Sequence, residues 1–124
     1  MEIDPSGFFY WALSPDGSRI AVVNFDSRVR ILTLQEEEVL ELSASSWYGM
    51  EHVTWTVDGQ GVIVTGGGIT MTKGLLYIGL DGHTEVVLRE ENEWPVYPIS
   101  SPDGRYLAYA RMFPDSNVWM IEHF

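Results

Sequence analysis

Ser101-Pro102-Asp103-Gly104-Arg105-Tyr106-Leu107-Ala108-Tyr109 is the stretch that decides the fold. Asp-Gly between two apolar runs marks a hairpin, because Gly accepts positive φ and Asp bonds its own turn backbone. Pro102 pre-sets φ in the same turn. The stretch recurs upstream. Trp11-Ala12-Leu13-Ser14-Pro15-Asp16-Gly17-Ser18-Arg19-Ile20-Ala21-Val22-Val23 has the same form, and so does Val53-Thr54-Trp55-Thr56-Val57-Asp58-Gly59-Gln60-Gly61-Val62-Ile63-Val64-Thr65. The Asp-Gly steps fall at 16, 58 and 103, so the spacing is 42 and then 45 residues.

A period of that size with strand-like flanks is the spacing of a four-stranded propeller blade. Each copy resolves into strands around its turn. Strand A is expected over 8–13, 52–56 and 96–100. Strand B follows over 20–24, 62–65 and 106–111, and strand C over 29–34, 75–80 and 118–122. Strand D is expected over 38–42 and 84–88, and the third copy has none. No stretch carries a capped apolar period of 3.6 residues, so no long helix is expected. The fold class is all-β: one partial domain over 1–124, with blades over about 8–43, 50–89 and 95–124. The N-terminus is too short to supply the missing strand in the usual register.

Ser14-Pro15-Asp16-Gly17 and the stretch from Ser101 to Tyr109 resemble the WD40-like PD40 repeat of TolB-like β-propellers. Asn117-Val118-Trp119-Met120 is similar to the strand-C segment of that repeat, and Asp81-Gly82 to its C–D turn. The second copy departs from the pattern, with Thr56-Val57 in place of Ser-Pro. The resemblance implies a ring of six to eight blades, or propeller domains attached to TolB, to peptidases or to signalling and transcription-regulator chains. It also implies a bacterial protein in a periplasmic or extracytoplasmic setting. It transfers no catalytic residue, since the repeat has none.

Three blades cannot close a ring. The outer faces and one strand edge would stay open. Two arrangements meet that need. The chain is the C-terminal part of a longer propeller, its start at Met1 a cut between blades. Alternatively, two copies join three blades plus three as a homodimer. The N-terminus shows neither the basic nor the apolar region of a signal peptide.

Composition narrows the function classes. Eighteen acids against seven bases leave a formal charge of −11. The bases (Arg19, Arg28, Arg30, Lys73, Arg89, Arg105 and Arg111) are spread along the chain, which disfavours nucleic acid and anionic lipid as partners. Absence of cysteine excludes a disulfide scaffold, a thiolate zinc site and a cysteine nucleophile. No apolar run is long enough for a spanning helix, so no membrane insertion is expected.

No catalytic set, cofactor site or metal site emerges. There is no Gly-x-Ser-x-Gly elbow. Gly66-Gly67-Gly68 fits neither a phosphate loop nor a dinucleotide fingerprint, and reads as a flexible B–C loop or bulge. His52, His83 and His123 lie far apart. Asp16, Gly17, Asp58, Gly59, Asp103 and Gly104 read as structural turns, and Glu36-Glu37-Glu38 as a solvated one. The D–A and B–C loops of a propeller emerge on one face. Here they carry Trp47, Tyr48, Trp94 and Tyr97, the acids Glu90, Glu91 and Glu93, then Lys73 and Met112-Phe113-Pro114-Asp115. Aromatics on loops are enriched at binding sites, and with acids beside them they suit a basic or amphipathic partner. The favoured reading of Trp47 and Trp94 themselves is that they plug between blades, with binding the second reading, while Trp11, Trp55 and Trp119 on strands read as core between blades. Two functions follow: a non-enzymatic interaction domain that holds a protein or peptide, or the accessory propeller of an enzyme or signalling protein.

Overall fold

The computed structural model of the protein describes residues 10–35, 37–68, 73–91, 93–111 and 118–122. Among them there are eleven strands and no helix. The first sheet runs β1 (Tyr10–Leu13), β2 (Arg19–Val23), β3 (Arg28–Thr33) and β4 (Glu38–Ser43). The second runs β5 (Val53–Trp55), β6 (Gly61–Gly67), β7 (Lys73–Gly79) and β8 (Thr84–Glu90). The third holds β9 (Pro95–Ser100), β10 (Tyr106–Arg111) and β11 (Val118–Glu122). Every neighbouring pair is antiparallel and consecutive in the chain.

Side-chain alternation decides what each sheet buries. In the first sheet Ala12 pairs with Ala21 and Ile31 with Leu40, while Val23 pairs with Val29 and Val29 with Leu42. That face packs on Val53, Trp55, Val62, Val64, Leu76 and Ile78 of the second sheet. The second sheet's other face presents Ile63 and Leu75 to Leu107 and Tyr109 of the third. The middle sheet is therefore covered on both sides, and β6 is buried along almost its whole length for that reason.

The stack is open. The first sheet's outer face pairs Trp11 with Val22 and Leu13 with Ile20, and Trp11 and Leu13 are each 50% exposed. Trp11, expected as core between blades, is half exposed among the described residues, while Ile20 on the same face is buried. Trp55 is buried between sheets, and the side chain of Trp119 lies outside the described residues. The strand β5 adjoins β1 on one side and β9 on the other. The indole N–H of Trp55 donates to the Ala12 carbonyl at 2.9 Å, and Ser100 Oγ donates to the Trp55 carbonyl at 2.9 Å. Trp55 and Ser100 each stand three residues before the Asp of their turn, so one repeat position stitches neighbouring sheets.

The three Asp-Gly turns share one construction. Asp16 Oδ1 accepts the Ser18 N–H at 3.0 Å, Asp58 Oδ1 that of Gln60 at 3.0 Å, and Asp103 Oδ1 that of Arg105 at 3.0 Å. A hydroxyl two residues earlier completes each clamp: Ser14, Thr56 and Ser101 donate to the same oxygens at 2.7–2.8 Å. The same hydroxyls accept the N–H of Arg19, Gly61 and Tyr106. Thr56 does what Ser does, and Val57 stands in the proline's place without altering the turn.

The glycine cluster departs from expectation. Gly66 and Gly67 are not a flexible loop: they end β6, paired with Gly74 and Lys73 of β7. A Cβ on Gly66 would strike the Trp47 indole and the Tyr48 carbonyl, and one on Gly74 would strike the Leu88 carbonyl. Close approach of Trp47 and of backbone requires glycine at both positions.

Candidate binding face

The strand starts bring three rings together. Tyr10, His52 and Tyr97 each lie six residues before the Asp of their repeat. Because β5 adjoins both β1 and β9, equivalent positions converge at one end of the stack. The His52 imidazole sits 4.1 Å from the Tyr97 ring and 4.8 Å, edge-on, from Tyr10, and the two tyrosines are 6.3 Å apart. Thr65 Oγ1 anchors this end by accepting the N–H groups of Glu51 at 3.1 Å and His52 at 2.9 Å. His52 is 7% exposed, and its Nδ1 has no hydrogen-bond partner. Burial pushes its pKa below the usual imidazole value, which favours the neutral ring. Sequence reading set His52 aside as one of three scattered histidines and did not name Tyr10. The shared offset from the Asp-Gly step was the signal that could have found them.

Beside this trio lies a cleft lined by Phe25, Tyr48, Glu51, Gly66, Lys73 and Trp94, with free volume of about 60 Å³. The β2–β3 turn supplies Phe25, held by its N–H to the Met50 carbonyl at 2.8 Å. The chain between β4 and β5 supplies Tyr48, bridged to Gly67. The approach to β9 supplies Trp94, and Lys73 Nζ rests over its ring at 4.8 Å. Phe25 and Tyr97 are the described non-glycine residues with positive φ, at 58° and 51°. Left-handed backbone at a bulky aromatic is costly and concentrates at functional sites.

The loop residues expected to form a binding face divide. Tyr48, Trp94 and Tyr97 are half or more exposed on this end. Trp47 is not on the face, because it is 5% exposed and packs in the core between the first two sheets. Its indole N–H donates to the Thr65 carbonyl at 3.3 Å. The acids divide too. Glu90 and Glu93 both pair with Arg111, which removes them from a free anionic surface, while Glu91 stays exposed. Met112, Phe113, Pro114, Asp115, His123 and Glu36 lie outside the described residues. His83 is exposed in the β7–β8 turn, 6.5 Å from the Tyr77 ring.

A larger cavity of about 660 Å³ opens where the second and third sheets splay apart, lined by Thr56, Asp58, Tyr77, Glu85, Ser100 and Ile121 among others. It pairs no nucleophile with a histidine base. Among the described residues no group of three His, Asp or Glu is placed to hold a metal ion.

No family model matches the chain. Its fold is similar to that of a Kuenenia stuttgartiensis hydrazine synthase chain, with a TM-score of 0.61 and 15% identity over 91% of this chain. The match covers 50% of the hydrazine synthase chain, so the protein spans half of that chain's length. At this identity the likeness concerns the fold alone. Matches to solved structures extend to 216 chains, so an arrangement this common does not select a function.

Proposed function

We propose that the protein is a set of β-propeller blades of the TolB-like kind, serving as a non-enzymatic interaction domain that holds a protein or peptide segment. Sheets stacked face to face with their first strands adjoining fit blades around an axis. One observation carries the binding role: three connections far apart in the chain, β2–β3, β4–β5 and β8–β9, deliver Phe25, Tyr48 and Trp94 to one cleft, with Tyr97 next to it. Exposed aromatics on a rigid sheet scaffold give contact area at small entropic cost. A second reading is the accessory propeller of a larger enzyme or signalling chain.

Selection of displayed peptides against the purified chain tests the first reading. Peptides that bind the wild type should lose at least about tenfold in affinity against the Tyr48→Ala/Trp94→Ala variant, as truncation of central aromatic anchors does. The melting temperature should stay nearly unchanged. Selected peptides that bind both forms equally would refute the assignment of this face.

A further inference from the structure

Lys73 is the sole lysine in a chain with eighteen acids. Ion pairs among the described residues use Arg28, Arg30 and Arg111, and Lys73 takes part in none of them. Its ammonium lies instead on the face of Trp94, which is half exposed. A cation over an indole is held by the ring's quadrupole, and holding it there restricts a long side chain. Around that pair stand Phe25, Tyr48 and the carboxylate-bearing Glu51. The remaining free volume, about 60 Å³, has room for no more than a few waters.

We propose that Lys73 is the internal occupant of a cation-binding cleft, and that the cleft takes the basic side chain of a lysine- or arginine-bearing peptide in its place. The inference rests on the reading of this end as a peptide-binding face, and it names the chemistry of the peptide. Three features make the exchange feasible. The backbone of Lys73 is fixed in β7 between Gly67 and Glu90, so only its flexible side chain need swing out. The displaced ammonium goes into water, where it is well hydrated. The net charge of −11 draws cationic segments toward the chain and disfavours acidic ones. Lys73 thereby sets a threshold: a neutral side chain gains nothing by displacing it, whereas a basic one replaces like with like.

The test titrates three short peptides, alike except for a central lysine, arginine or norleucine, into the full chain. The Trp94 indole N–H signal is followed by NMR. The lysine and arginine peptides should shift that signal and the norleucine peptide should not. Lys73→Met keeps the aliphatic stem and removes the internal rival, so it should bind the basic peptides about fivefold tighter. Trp94→Ala removes the indole reporter, so its binding is read by isothermal titration calorimetry, where it should be lost in both backgrounds, with unchanged melting confirming that it folds. Equal affinity in wild type and Lys73→Met, or no indole shift at millimolar basic peptide, overturns the proposal. If norleucine matches lysine and binding still needs Tyr48 and Trp94, the cation inference fails and the peptide-binding face stands. If binding ignores Tyr48 and Trp94 altogether, both fail.

Discussion

A single carboxylate closes each repeat, and its protonation is therefore a stability matter. The Asp16 carboxyl is held down to about 2, against an ordinary 3.8, first by the Ser18 hydroxyl, then by the Ser18 N–H and the Ser14 hydroxyl. Asp58 is lowered chiefly by the Gln60 N–H and then Thr56, and Asp103 by the Ser101 hydroxyl and then the Arg105 N–H. A carboxyl depressed in the folded state contributes stability that is complete above the unfolded value and is lost as pH falls through the folded one. Melting temperature should hold down to about pH 4 and fall toward pH 2. In the triple variant D16N/D58N/D103N that acid-side fall should shrink, as calorimetry at stepped pH would show. An undiminished fall would place the acid sensitivity elsewhere. The partner glycine is fixed by backbone geometry: Gly104 has φ of 74°, so Gly104→Val should cost about 1–3 kcal/mol in urea unfolding.

At the scale of the strand, the repeat made most of the molecule legible. Asp-Gly located every A–B hairpin, and alternation located the faces. What escaped were the effects of neighbours in space. Gly66-Gly67 reads as loop because glycine is poor in strands, yet Trp47 needs room that any Cβ would take. For Trp47 the sequence left packing between blades and binding both open, and the fold decides for packing, with Gly66 and Gly74 of β6 and β7 against its indole. Trp11 reads as core between blades because it alternates correctly, but it is half exposed among the described residues. Two tryptophans that look alike in sequence should thus behave differently. Trp47→Ala empties a buried site and should cost about 3–5 kcal/mol. Trp94→Ala, on the surface, should stay within about 0.5 kcal/mol. Chemical denaturation separates the two, and similar losses would return Trp94 to the core. Gly74→Ala should cost at least as much as Gly104→Ala, because the Leu88 carbonyl it would meet is backbone and cannot swing aside.

The whole molecule is a gradient of burial across three sheets. The middle one is enclosed on both faces and the outer two on one, so hydrogen exchange should be slowest in β6 and β7 and faster in β4. The same gradient bears on assembly. Trp11 and Leu13 on the first sheet and Ile99 on the third, which is 62% exposed, stand on faces that a closed ring would cover. Apolar surface of this kind on a sheet face favours association. Two copies turned toward each other would cover both outer faces at once, because the first sheet of one copy meets the third of the other and a two-fold axis generates the second contact. Light scattering should then give about 28 kDa, twice the 14.0 kDa chain. Leu13→Glu puts a charge at the centre of that contact without touching the packed face of β1, so it should return the mass to that of one chain while the β-sheet circular dichroism persists. A monomer at high concentration in the wild type would mean that these faces await blades from another chain, and a dimer indifferent to Leu13→Glu would mean that the copies meet elsewhere.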